Sequence, residues 1–331
     1  MAIKNEIMSR EELGNYFKEH GRVAESDLEN VLDAVDEINR LKKEKNAVIL
    51  AHYYMRDELK LGIADYIGDS LDLSKEAKAT DADLIVFCGV HFMAETAKIL
   101  NSQKKVLLPN LGAGCSLAES ITAEQVRDLR KQYPDAAFAT YINTTAEVKA
   151  EVDVCVTSAN APKIIAELPQ KQVVFLPDAY MGANLKTEIP DKEILIWEGT
   201  CVVHETFSPY DIIQARLENP DVKVLAHYEC HPDVLRDADM HGGTSDMIRY
   251  IEGTDAPAYV LATECGLAGT IKKQFPDKEL IGPCQMCTYM KMINIYNTLD
   301  TLRTEQPEIT VPEDIRVKAE RSLDKMLELS K

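Results

Sequence analysis

The sequence predicts an α/β protein made of three homologous three-layer α/β/α domains in a pseudo-threefold arrangement around a central active site. Three observations point there. Short β-like apolar runs alternate with amphipathic helical stretches, the pattern of mostly parallel sheets. The 331 residues, 45% of them hydrophobic, suffice for two or three compact domains with buried cores. Polar residues recur at a step of about 86 residues, too long for a solenoid repeat and suited to a cluster of small domains.

Residues 1–45 read as an N-terminal extension and helix packed on the core. Residues 1–25 are polar and acidic, compatible with a mobile extension or a short helix. SDLENVLDAVDEINRLKKE (26–44) has a helical pattern. A first α/β repeat spans 46–132, with strands at AVILA (47–51) and LIVF (84–87). The helix EQVRDLRKQY (124–133) follows, opened by a capping box of Thr122 and Gln125. A second repeat, 133–218, has its strand at AFATY (137–141). The third, 219–331, has KVLAH (223–227), AYVLAT (258–263) and a C-terminal helix.

The repeat rests on several feature types in one register. YPD (133–135), NPD (219–221) and QPE (306–308) each follow a helical stretch. His52, Tyr141 and His227 follow the first strands, at steps of 89 and 86 (141 − 52, 227 − 141). About 17 residues on (18 in the first copy) come Ser70, Ser158 and Thr244, hydroxyl residues opening helices. Cys115, Cys201 and Cys287 complete it at two steps of 86 (201 − 115, 287 − 201), and Thr122 and Ser208 are also 86 apart.

In parallel α/β units ligands bind beyond the carboxyl ends of strands. His52, Tyr141 and His227 sit there, with Tyr54, Asn143 and Glu229 two residues on, facing the same way along extended chain. Ser70, Ser158 and Thr244 at helix starts are candidate anion ligands, since free N–H groups and the helix dipole favour negative charge. Ordinary helix capping is the alternative for each of them taken singly.

Equivalent cysteines in three copies place three thiolates around one axis. Three thiolates can hold three corners of a 4Fe–4S cluster and leave the fourth iron open, as dehydratase chemistry requires; a closed electron-transfer cluster takes four. A zinc site using Cys284, Cys287 and Cys230 with His231 or His227 is the competing metal reading, but it ignores the register. A redox role for Cys284–Cys287 lacks a matching domain pattern. Cys88, Cys155 and Cys265 lie in or beside apolar runs and are expected to pack in cores, with Cys284 a neighbour of the third ligand. His204, three residues beyond Cys201, lines the site or is structural.

Composition narrows the partners. The formal charge of −18, from 55 acidic and 37 basic residues, disfavours nucleic acid and acidic membranes. No apolar run approaches a membrane span, and the N-terminus has no secretory h-region, so a cytoplasmic protein with reduced thiols is expected. An iron–sulfur sensor would need a partner surface, often basic, and the chain has no basic block.

AHYYMRDELKLGIADYIGDSLDLSKEA, VFCGVHFMAETAKIL, TYINTTAEVKA, AHYECHPDV and IGPCQMCTYMKM together resemble the quinolinate synthases of de novo NAD biosynthesis, over residues 26 to 310. The resemblance implies a transferase that condenses iminoaspartate with dihydroxyacetone phosphate, giving quinolinate, phosphate and water. It implies a 4Fe–4S cluster on Cys115, Cys201 and Cys287, and substrate contacts from His52, Ser70, Tyr141, Asn143, Ser158, His227, Glu229 and Thr244. Tyr141, Glu229 and His227 are the expected catalytic residues. Supply of iminoaspartate by an aspartate oxidase or dehydrogenase is the expected partner relation.

Overall fold

A computed structural model describes residues 2–21 and 23–331. The chain forms two compact units: the residues up to Gly114 with Thr288–Val311, and Cys115–Cys287 with Pro312–Lys331.

The first unit holds a five-stranded sheet of β1 (Ile3–Lys4), β2 (Ala47–His52), β3 (Tyr66–Gly68), β4 (Leu84–Cys88) and β5 (Lys105–Leu107). Its order is β1-β3-β2-β4-β5, parallel except for β1, which runs antiparallel on β3 with Ile3 opposite Ile67. The N-terminal residues therefore supply an edge strand as well as a helix, Arg10–His20. That helix starts where Ser9 and Glu12 exchange hydrogen bonds, and it buries Leu13 and Phe17. The expected 26–44 helix is a 3-10 turn running into Leu28–Glu44, whose buried Val31, Val35 and Ile38 form its apolar stripe.

The second unit holds two four-stranded parallel sheets. One consists of β6 (Ala137–Tyr141), β7 (Val154–Val156), β8 (Gln172–Leu176) and β9 (Glu193–Ile196), in the order β7-β6-β8-β9. The other consists of β10 (Lys223–His227), β11 (Met240–Gly242), β12 (Ala258–Ala262) and β13 (Glu279–Ile281), in the order β11-β10-β12-β13. With β3-β2-β4-β5 these make three parallel-sheet units with one strand order, the α/β class read from the sequence. The short strands between the predicted ones, such as Val154–Val156, are too brief to show a periodicity of their own. The helices at Ala123–Gln132 and Pro209–Glu218 start at Thr122 and Ser208. The helix Glu313–Leu329 buries Ala319, Leu323 and Met326, and its Ser322 hydroxyl donates to the Lys149 carbonyl at 2.8 Å.

An aspartate clamp recurs in all three sheets. Asp65, Asp153 and Asp239 immediately precede the short strands β3, β7 and β11. Their carboxylates accept the N–H of Ile49 (2.8 Å), Phe138 (2.7 Å) and Val224 (2.9 Å) on the neighbouring central strands. Their own N–H groups donate to the carbonyls of those same residues. A cation pairs with each: Lys42 with Asp65, Arg130 with Asp153, and Arg216 and Lys223 with Asp239. The clamp fixes strand register where the polar ends of two strands meet.

The cysteines depart from expectation at one place. Cys88 and Cys155 are buried as expected, but Cys265 and Cys284 form a disulfide, with Cα atoms 5.1 Å apart. The parallel bridge between Glu264 and Gln285 places the end of β12 beside the loop after β13, which brings the pair within bonding distance. Among the described residues no helix is long and apolar enough to cross a membrane.

Replacing Asp153 by Ala should lower the urea midpoint of unfolding, with a loss of about 1–3 kcal/mol for stranding the Phe138 N–H. Asp153→Asn should recover part of it, and an unchanged midpoint for the Ala variant would show the clamp to be idle.

Candidate active site

Each candidate ligand cysteine stands on a loop anchored by one recurring backbone bond. The N–H of His91, Ala179 and Cys265, three residues beyond the ends of β4, β8 and β12, donates to the carbonyl of Ala113, Gly199 and Gln285 at 2.7, 2.7 and 3.0 Å. The acceptor lies two residues before Cys115, Cys201 or Cys287. Gly199 is required on steric grounds: a Cβ there would lie 2.4 Å from Ser120 Oγ and 2.5 Å from the Pro177 carbonyl.

All three cysteines belong to the second unit and are half-buried. Ser116 Oγ donates to the Thr200 carbonyl (3.0 Å) and accepts from the Val202 N–H (3.2 Å), tying the residue after Cys115 to both sides of Cys201. The Cys287 N–H donates to Glu264 Oε1 at 3.1 Å, while Gly266 N–H donates to Oε2 at 2.6 Å. Burial, with the charges of Glu229 and Cys287, pushes the Cys115 thiol up to about 12. Burial, Glu229 and Cys115 push Cys201 well above its ordinary value. The thiols and Glu229 thus sense one another, and without a compensating cation the sulfurs stay protonated.

Glu229 is the hub of the site. Buried two residues beyond the end of β10, it accepts the Tyr141 hydroxyl at 2.5 Å through Oε1. His204 Nδ1 lies 3.0 Å from Glu229 Oε2 and 3.2 Å from Cys201 Sγ, and its Nε2 lies 3.0 Å from Thr263 Oγ1. Burial raises the Glu229 carboxyl, but the neighbouring His204 and the hydrogen bonds from His204 and Tyr141 outweigh it, and it is held below its ordinary value. His227 stacks on His204 with ring centroids 4.4 Å apart, and burial beside that ring pushes it down to about 3. Its Nδ1 accepts the Glu229 N–H at 3.4 Å, so the neutral ring carries its proton on Nε2.

Three further candidates belong to the same unit. Asn143 Oδ1 is buried with no protein partner. Ser158 packs against the start of the helix Thr244–Gly253, since a Cβ on Gly243 would lie 2.9 Å from Ser158 Oγ. Ser158 does not open a helix, because Ala161–Glu167 is preceded by Asn160. Thr244 is the first helical residue after Gly243, and Ser70 the first after the capping Asp69. In the first unit His52 Nδ1 accepts the Tyr54 N–H at 3.2 Å, the same turn that His227 and Glu229 make.

Sequence reasoning missed Asp178, Thr263 and Glu264. Asp178 and Glu264 are both fully buried, each just beyond the third strand of its sheet. They are 86 residues apart (264 − 178), so the register itself could have found them. Asp178 Oδ1 accepts the Met181 N–H at 2.9 Å, and its carboxyl is pushed well up by burial and by Glu229.

The profile of the family described as "Quinolinate synthetase A protein" matches residues 36–328. The chain is 50% identical to the quinolinate synthase of Aquifex aeolicus, over 91% of this chain and 96% of that protein. It is 48% identical to quinolinate synthase 2 of Mesorhizobium japonicum, over 88% of this chain and 90% of that one. It is 44% identical to the quinolinate synthase of Alkaliphilus metalliredigens, over 91% and 99%.

Gly199→Ala should lower the melting temperature, by the equivalent of about 1–3 kcal/mol of overpacking. Gly253→Ala, where a Cβ meets nothing within 4 Å, should leave it unchanged. Equal melting temperatures for the two variants would refute the steric role of Gly199.

Proposed function

We propose that this chain, which belongs to the quinolinate synthase family, condenses iminoaspartate with dihydroxyacetone phosphate to quinolinate, phosphate and water, as a cytoplasmic transferase of NAD biosynthesis. The observation that carries the reading is the buried Tyr141–Glu229–His204 chain set against three cysteines in one register. An aspartate oxidase or dehydrogenase would supply the unstable imine.

The donor set fits a 4Fe–4S cluster on Cys115, Cys201 and Cys287. Thiols that raise one another's pKa ionise together only around a cationic group. Three ligands leave one iron open. When bound, such a group supplies a Lewis acid that assists departure of a hydroxyl group in the dehydration.

The protein's own groups account for binding and proton transfer. Both substrates are anionic, and the protein's net charge of −18 repels them, so binding needs local donors. Ser158, Thr244 and the N–H groups opening Thr244–Gly253 supply them in the second unit, and the Nε2–H of neutral His227 is a further donor there. The Asn143 carbonyl oxygen would accept a substrate N–H or hydroxyl, which would satisfy a buried atom that has no protein partner. His52 and Ser70, with Tyr54, are assigned to substrate from the register they share with these residues. Glu229, ionised in a dry setting, takes protons from carbon or nitrogen, and the 2.5 Å bond to Tyr141 gives a short path for returning them.

An anaerobic assay for quinolinate from the two substrates tests the reading. Cys201→Ser should lose both turnover and the visible absorbance of the cluster while keeping its far-ultraviolet circular dichroism; full activity would sink the cluster assignment. Glu229→Gln should keep iron and absorbance but lose about 10²–10⁴-fold in kcat, and unaltered kinetics would remove Glu229 from the mechanism.

A further inference from the structure

Cys201 has a second set of neighbours besides the other two cysteines. Its sulfur, a His204 ring nitrogen and a Glu229 carboxylate oxygen lie within 4.8 Å of one another, and among the described residues no other three such groups are gathered so closely. We propose that the apoprotein binds one divalent transition-metal ion, of the zinc or cobalt type, between Cys201, His204 and Glu229. The site shares Cys201 with the three-cysteine centre, so an ion held there excludes that centre. The exclusion rests on the cluster reading above; the site itself does not.

Geometry and chemistry both support it. Thiolate, imidazole and carboxylate are the ligand types of tetrahedral zinc, whose ligand atoms stand about 3.4–3.6 Å apart. The present separations are 3.2 Å (Sγ to Nδ1) and 3.0 Å (Nδ1 to Oε2), each a few tenths of an ångström short of that span, and the sulfur-to-carboxylate separation lies within 4.8 Å. Both non-sulfur ligands have an outer partner already in place. His204 Nε2 meets Thr263 Oγ1 at 3.0 Å, and Glu229 Oε1 holds the Tyr141 hydroxyl at 2.5 Å. Such partners fix tautomer and orientation in metal sites.

Protons and charge balance. On binding, the Cys201 thiol proton leaves to solvent, and the neutral His204 ring changes tautomer. The proton that Nδ1 shares with Glu229 is given up and one is taken on Nε2, which donates to Thr263 and leaves the Nδ1 lone pair for the ion. The dipositive ion then faces one thiolate and one carboxylate, a neutral ensemble that suits this buried setting better than two uncompensated anions. The zinc arrangement suggested by Cys284 and Cys230 is not what forms. Cys284 is bonded to Cys265, and the Cys230 thiol donates to the Ala262 carbonyl.

The test uses full-length apoprotein, reduced and freed of metal under anaerobic conditions, titrated with Co2+ alone. In the double variant Cys115→Ser/Cys287→Ser, which cannot build the three-thiolate centre, one Co2+ per chain should bind. A thiolate-to-cobalt charge-transfer band and tetrahedral visible bands should appear, and Zn2+ should abolish both. His204→Ala in that background should remove them, and Thr263→Val should weaken binding about tenfold with the fold intact. No cobalt bands in the double variant, or bands that ignore both His204→Ala and Thr263→Val, would overturn the site. In wild-type apoprotein, one Zn2+ per chain should block later uptake of iron and sulfide; undiminished uptake would overturn the exclusion. None of these readouts needs quinolinate to form, so a failure of the enzymatic reading would be seen separately.

Discussion

One backbone hydrogen bond, made three times, determines where the chemistry can sit. It joins the N–H just beyond β4, β8 or β12 to the carbonyl two residues before a cysteine, in the pairs His91–Ala113, Ala179–Gly199 and Cys265–Gln285. Each such bond contributes only about 1 kcal/mol, but it delivers a thiol at the carboxyl end of a sheet with little freedom left in the loop. Neighbours reinforce it: Ser116 ties the first cysteine loop to the second, Gly199 permits the close approach to Pro177, and Glu264 accepts the N–H of Cys287.

Around those loops the fold places a carboxylate where burial alone would neutralise it. Glu229 stays ionised because a tyrosine hydroxyl and an imidazole N–H reach its two oxygens. Its charge in turn keeps the nearby sulfurs protonated until a cation joins them. On the proposed reading such a site is preorganised, with donors and base in place before substrate arrives. The same crowding of sulfur, nitrogen and oxygen makes Cys201 attractive to a single ion.

Much of this was legible along the chain. The strands β2, β6 and β10, the helices after Thr122 and Ser208, and the common spacing of the three cysteines all follow from local periodicity and a constant spacing. What stayed hidden has physical causes. Ile3–Lys4 is too short to signal a strand and exists only because β3 offers it an open edge. Ser158 shares its position with two helix-opening residues, yet its own helix starts later, so spacing alone misassigned its local structure. His204 could be read either way until Glu229 and Thr263 were seen on its two nitrogens.

The sequence by itself determined the α/β class, the strand-to-cysteine register and the residue types at each repeated position, because these depend on short-range periodicity and on distances counted along one chain. The tertiary structure alone decided the Cys265–Cys284 bond, the Tyr141–Glu229–His204 chain and the contact of Ser158 with the helix at Thr244. Those contacts join residues from about twenty to nearly ninety positions apart. No local propensity encodes them, and they appear only when separate strand ends and loops are packed together.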